Sequence, residues 1–508
     1  MRRQLFATKP LRQLLDEMAG ENRLRRVLGP VQLTSLGVGA IIGAGIFVAT
    51  GAAARNVAGP ALMLSYVVAG VTCIFAALCY AEFASMVPVA GSAYTYAYAT
   101  LGELFAWIIG WDLILEYAVG AATVANGWSG YFQSVLAKIG LHFPAALAGP
   151  PIVYDTAAGQ FVHTAGVVNL PAVLIACVVT AILVKGIQES AGFNTTMVFL
   201  KVTVVIFVIL VGAFYIVPGN WRPFAPYGMT GLSFFGQPLF GQVNAAGEPV
   251  GMLAGAAIIF FAYIGFDSVS THAEEAKQPS RDVPIGIIAS LLICTVLYIA
   301  VVAVLTGMVP YDKLSVDAGV SDAFKQAGLP WAELIIAAAG VAGITSVLLV
   351  LMLSGPRVFL AMARDGMVPP GFFADVHPKF RTPWKSTILI GAMVVVMTGF
   401  LPIDFLLRLT NIGTLFAFLI VCAAVLIMRR TNPDAVRPFR APFYPFVPVL
   451  GILSCLMLMF SLPAANWYRL IAWMALGLVI YFSYGYRHSG QRKRMEAASA
   501  AAGAARRG

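Results

Sequence analysis

The chain has 508 residues, 59% hydrophobic and only 11% charged, with a mean hydropathy of +0.84. Soluble domains carry about a quarter charged residues, so a water-soluble globular class is excluded. The net charge of +10 does not point to nucleic acid, because the basic residues flank apolar runs instead of covering one solvated face.

Apolar stretches long enough to cross about 30 Å of hydrocarbon as a helix fall near 33–53, 60–87, 103–135, 169–185, 192–217, 251–275, 284–309, 331–364, 386–402, 405–428, 446–463 and 468–486. The expectation is an all-α integral membrane protein with about twelve spans. The N-terminal segment 1–30 carries charges as far as Arg26, with no short apolar region and cleavage site after them. It reads as a cytoplasmic segment with a short amphipathic surface helix, not a signal peptide.

The first span contains Gly37, Gly39, Gly43 and Gly45 in LGVGAIIGAGIF. Close helix packing accounts for such glycines. So does a break at Gly43-Ala44-Gly45, which frees peptide groups that lipid cannot satisfy and a substrate can. The half-helix after the break then turns its positive N-terminal end toward a carboxylate. In the second and third spans Glu82 and Asp112 lie nearer the ends and read as structural. Glu116 is a third intramembrane acid, a candidate coupling group that could pair with another polar group across the bundle.

The fifth span holds Lys201 inside FNTTMVFLKVTVVIFVILVGAFYI. An ionisable residue at that depth is costly and generally functional; the alternative is snorkelling to the interface. The sixth span, IIFFAYIGFDSVSTHAEE, has Gly265 in mid-run with Asp267 just beyond it. Asp267 suits the N-cap of a second half-helix. A buried carboxyl also suits a proton carrier, and the two roles are compatible. Glu274 and Glu275 read as part of a charge network on the inner side.

Two interrupted spans five apart predict a 5+5 inverted repeat (LeuT-like) with broken helices 1 and 6, followed by two extra C-terminal helices. The resulting domains are the segment 1–30, a transport core over 31–430, helices 11 and 12 over 431–486, and a basic tail over 487–508 whose low complexity predicts disorder. Placing both ends in the cytoplasm puts Lys185, Lys277, Arg281, Arg357, Arg364, Lys379, Arg381, Lys385, Arg429, Arg430, Arg437 and Arg440 on the inner side with the basic termini. Arg55, Lys138, Arg222, Lys313, Lys325, Arg408 and Arg469 remain outside. The long loops near 137–167 and 218–250 are almost free of basic residues.

The six cysteines, Cys73, Cys79, Cys177, Cys294, Cys422 and Cys455, all lie in apolar runs and read as packing residues. His142 and His163 share a loop without a metal motif, so no metal and no cofactor is expected.

Several stretches resemble the amino acid–polyamine–organocation superfamily, and within it the cationic amino acid transporter family and its proton-dependent bacterial homologues. They are GAIIGAGIFVATG, WDLILEYAVGAATVANGWSGYF, PRVFLAMARDGMVP, FRTPWKS and, longest, FFAYIGFDSVSTHAEEAKQPSRDVPIGI from Phe260 to Ile287. The resemblance covers roughly 25–485. It implies a secondary transporter of L-amino acids, cationic or small neutral, working by alternating access and coupled to protons rather than sodium.

By the same resemblance, amides of Ala44 and Gly45 hold the substrate carboxylate at the Gly43 turn. Carbonyls of Ile41, Phe261, Ala262 and Ile264 hold its ammonium group. Phe261 or Phe266 acts as a lid, and Thr345 and Ser346 lie near the substrate side chain or simply pack. Lys201 takes the place that sodium occupies between helices 1, 5 and 8 in related transporters, and Asp267 matches an acid linked to proton coupling. A sodium-coupled symporter or an exchanger of the same fold is the alternative. An amino acid sensor, a membrane enzyme and a channel are other classes. The residues offer no nucleophile–base pair, phosphate loop or filter repeat for the last two. The expected partners are the L-amino acid and the lipid bilayer, in a bacterial inner membrane.

Overall fold

The computed structural model describes residues 2–10, 28–87, 92–155, 160–186, 191–234, 237–244, 247–316, 319–380 and 382–505. The expected N-terminal surface helix falls largely on 11–27, and Arg12, Arg23, Arg25, Arg26, Arg381 and Arg507 of the charge pattern lie outside the described residues.

Helix dominates, as the long apolar runs require: in lipid, only a backbone that bonds to itself avoids stranded amides. Eight helical stretches are long and apolar enough to cross a membrane, and three shorter apolar helices, Leu170–Lys185, Trp384–Phe400 and Phe446–Phe460, accompany them. The first stretch, Pro30–Met86, runs to 57 residues. At about 1.5 Å per residue it would far exceed the bilayer as one rod. It breaks instead at Ile42-Gly43 and again at Gly59, whose φ of +63° suits glycine, with Pro60 behind it.

The Glu103–Lys138 and Pro330–Arg364 helices are the longest unbroken rods, matching the expected long third and eighth spans. They lie side by side at the centre of the bundle, next to Ile403–Thr431. Pro279–Met308 packs against both Leu62–Met86 and Pro30–Ile41. Some of the loop sequence that an all-α reading leaves open folds into antiparallel strand pairs. Ile152–Asp155 pairs with Gln160–His163, and Leu232–Phe234 pairs with Gln237–Phe240. Gln242–Val243 pairs with Pro249–Val250.

The tail departs from the expected disorder. Gly490–Ala505 is helical, and Ser489 caps it, its Oγ accepting the Arg492 amide at 3.1 Å. Its many alanines have the highest intrinsic helix propensity, which low sequence complexity conceals. Glu82 is structural as expected: it accepts the Arg429 Nε at 2.9 Å and the Ala441 amide at 2.8 Å. Asp112, also read as structural, is fully buried, and neither of its carboxyl oxygens has a hydrogen-bond partner among the described residues. Of the six cysteines, five are buried and Cys177 is exposed on the bundle surface.

Candidate functional site

The first helix, Pro30–Ile41, stops where the Ile42 amide makes its last bond, to the Val38 carbonyl at 2.9 Å. Ile42 is extended (ψ 102°), and helical structure resumes with the Phe47 amide bonded to the Gly43 carbonyl at 3.2 Å. The turn that restarts a helix holds the amides without an intrahelical partner. Here they belong to the segment around Gly43, Ala44 and Gly45.

The second break follows the same logic. Met252–Ile259 tightens into a 3-10 turn over Phe260–Tyr263, and Ile264 is extended (ψ 133°). Gly265 sits at φ +119°, and a Cβ there would meet the Ala40 carbonyl oxygen at 2.9 Å. No other residue fits that position. A short helix, Ser268–Thr271, follows. The two breaks touch: a Cβ on Gly45 would overlap the Cα and Cβ of Ala262.

Between them lies a small cavity. Its helix-break side is formed by Ala40, Ile41, Ala44, Gly45, Phe261 and Ile264, and the rest of its lining by Val124, Val347 and Leu351. The structure thus gathers most of the expected substrate residues around one space, and Ala262 and Gly43 adjoin it. Gly43 backs onto Val347. Phe261 lines the cavity. Phe266 packs into the core instead, with its ring 4.9 Å from that of Phe418.

Thr345 is not in the lining. Its hydroxyl donates to the Val341 carbonyl at 2.7 Å and accepts the Trp128 indole at 2.9 Å. At about 100° per residue, it faces away from Val347 and Leu351, which share the cavity face of the same helix. Ser346 bonds back to the Gly343 carbonyl at 3.1 Å.

Lys201 is 1% exposed, which rules out snorkelling to the membrane surface. Its Nζ donates to the Gly39 carbonyl at 2.6 Å and the Ile42 carbonyl at 3.0 Å. These are carbonyls at the end of the first half-helix, left without amide partners by the break. Gly343 makes room for the stem, since a Cβ there would meet the Lys201 Cγ at 3.2 Å. The ammonium therefore sits among elements 1, 5 and 8 of the expected order.

Asp267 does not cap the helix after it. Its carboxylate reaches back to the Gly265 amide at 3.3 Å and accepts the Tyr117 hydroxyl at 2.8 Å. The cap geometry fails because Asp267 itself has helical backbone angles, φ −65° and ψ −30°. Glu116 is buried, and neither of its carboxyl oxygens makes a well-formed hydrogen bond among the described residues; the polar group nearest it across the bundle is the Thr414 hydroxyl on Ile403–Thr431.

Three contributors were missed in the sequence. The Tyr298 hydroxyl lies 2.7 Å from the Ile41 carbonyl and 3.1 Å from that of Ala262, stitching the two breaks together. Asn411 donates to the Ala257 and Ile258 carbonyls, both at 2.8 Å, where the sixth span begins to unwind. Tyr117 is the partner of Asp267. A tyrosine or asparagine in an apolar run carries no signal of which backbone group it will meet.

Ion pairs cross the structure on either side of the cavity. On one side Arg408 holds Glu248 with two bonds of 2.8 and 3.0 Å, at a second hollow that Ala49 and Ile258 also line. On the other, Arg357 meets Glu275 at 3.4 Å, and Leu28 exchanges backbone bonds with Glu275 and Lys277. The Glu274 side chain lies outside the described residues.

The amino acid permease family model matches residues 28–481. The chain is 44% identical over 485 residues to the methylthioribose transporter of Bacillus subtilis (strain 168), covering 96% of this chain and 98% of that one. It is 46% identical over 490 residues to the branched-chain amino acid permease BcaP of the same organism, covering 96% and 99%. It is 37% identical over 424 residues to the vacuolar cationic amino acid transporter 4 of Arabidopsis thaliana, covering 82% of this chain and 65% of that one. A match across nearly the whole chain, on a bundle of apolar helices, marks a multi-pass membrane transporter rather than an enzyme. The chain belongs to the amino acid permease family, within the amino acid–polyamine–organocation superfamily.

Proposed function

We propose that the protein carries L-amino acids across the cytoplasmic membrane of a bacterium by alternating access, coupled to protons and independent of sodium. The observation that carries the reading is the Lys201 ammonium bonded to two carbonyls at the end of the first half-helix. A sodium ion at that place would be repelled by the protonated ammonium, which already bonds the carbonyls.

In this reading the chain has twelve spans. Ten form two inverted repeats over 31–430, two more follow over 431–486, and both termini are cytoplasmic. The amides near Ala44 and Gly45 take the substrate carboxylate, helped by the half-helix dipole. Carbonyls of Ile41, Phe261, Ala262 and Ile264 take the ammonium group, and Phe261 covers it. A carbonyl has two lone pairs, so the contacts Tyr298 makes with Ile41 and Ala262 leave room for the substrate.

Lys201, Asp267 and Glu116 are the groups that take up and release the proton. Asp267 touches the Gly265 amide in the second break, so a change in its charge acts on the binding site directly. No metal or organic cofactor has a part in the cycle.

Uptake of a bound amino acid into proteoliposomes tests the reading. An inward proton gradient should raise the rate several-fold, a protonophore should remove the gain, and replacing sodium by choline should change nothing. Uptake that follows sodium and ignores the proton gradient overturns the coupling.

A further inference from the structure

The peptide groups of the two breaks read only what all amino acids share, so the choice among them falls to the rest of the cavity. That part consists of Val124 on the Glu103–Lys138 helix and of Val347 and Leu351, one turn apart on Pro330–Arg364. All three are apolar, and no charged residue lines the space among the described residues.

The charged and polar groups nearby are engaged elsewhere or, like Glu116, lie outside the lining. Lys201 is spent on Gly39 and Ile42. Asp267 is held by Tyr117 and the Gly265 amide. The Thr345 hydroxyl is taken by Trp128 and Val341. Glu116 lies two turns before Val124 on its helix and is outside the lining. A guanidinium or ammonium side chain entering here would leave water without a carboxylate to receive it. An aliphatic chain, or the soft thioether of methionine, gains by the same burial.

We propose that the site takes L-amino acids with an aliphatic or thioether side chain and rejects cationic ones, with Val124, Val347 and Leu351 making the selection. The proposal rests on the amino acid reading above and narrows it.

Binding to the purified full chain in detergent, by calorimetry or thermal shift, tests it with leucine, methionine, arginine, lysine and methylthioribose as ligands. Leucine and methionine should bind, and arginine and lysine should bind at least tenfold more weakly. Val347→Ala removes two methyl groups from the wall. It should raise the ratio of phenylalanine to valine affinity about tenfold. Leu351→Ala should move the same ratio in the same direction. Because both ligands are measured on one protein, a loss of folded material cancels.

Arginine or lysine binding as tightly as leucine overturns the side-chain class and leaves the amino acid reading standing. An unchanged ratio in both alanine variants overturns the assignment of the selecting residues. Methylthioribose binding with no response to any amino acid overturns this proposal and the reading beneath it.

Discussion

Lys201→Ala is expected to abolish proton-driven uptake while the protein still inserts and purifies as a single species. The ammonium is the polar partner of the Gly39 and Ile42 carbonyls at the break. Its removal leaves both unmet in a dry interior, at a cost of about 1–3 kcal/mol for each stranded group. A combined loss of about 2 kcal/mol already corresponds to roughly 30-fold in binding. The damage is local, because the bulk of the Pro30–Ile41 and Ala191–Ala213 helices keeps its own backbone bonding. The measurements are uptake against external pH and size-exclusion of the variant. A variant whose uptake keeps the normal pH profile removes Lys201 from the coupling mechanism.

Gly45→Leu is expected to eliminate substrate binding. Gly45 stands against the backbone of Ala262, so even a methyl group there overlaps Cα and Cβ of the other break. Overpacking a tight contact costs typically 1–3 kcal/mol, and an isobutyl group between two touching main chains belongs at the upper end or beyond. That is a loss of about 100-fold or more. Gly149→Leu is the control, since a Cβ there meets nothing within 4 Å, and it should bind as the native protein does. Normal binding by Gly45→Leu places the breaks elsewhere.

Both breaks left a mark in the sequence as glycines in mid-span, which close helix packing explains as well; Gly265 proved to need its positive φ. Lys201 was legible for a related reason: a charge in mid-span must have a partner. The partners themselves were not. Tyr298, Asn411 and Tyr117 look like packing residues in apolar runs, and only the packed bundle brings Tyr298 to the Ile41 and Ala262 carbonyls.

The resemblance put Thr345 near the substrate side chain, with packing as the alternative; its hydroxyl meets Trp128 and Val341 outside the cavity lining, and resemblance alone does not say which way a helix residue faces. The Glu248–Arg408 pair joins positions 160 apart in sequence, beyond any local signal. The helical tail was missed because alanine-rich, low-complexity sequence serves disorder and helix alike, and a docked first turn decides between them. There the Gly490 amide bonds to the Asp365 carbonyl at 2.8 Å.

In the proposed mechanism, peptide groups of two broken helices grip both ends of an amino acid. The direct test takes whichever amino acid binds most tightly and compares it with its amide, which lacks the carboxylate, and with its deamino analogue, which lacks the ammonium group. A site built to bond both ends should reject each analogue by about 100-fold or more. Either analogue binding as tightly as the parent amino acid would contradict the account.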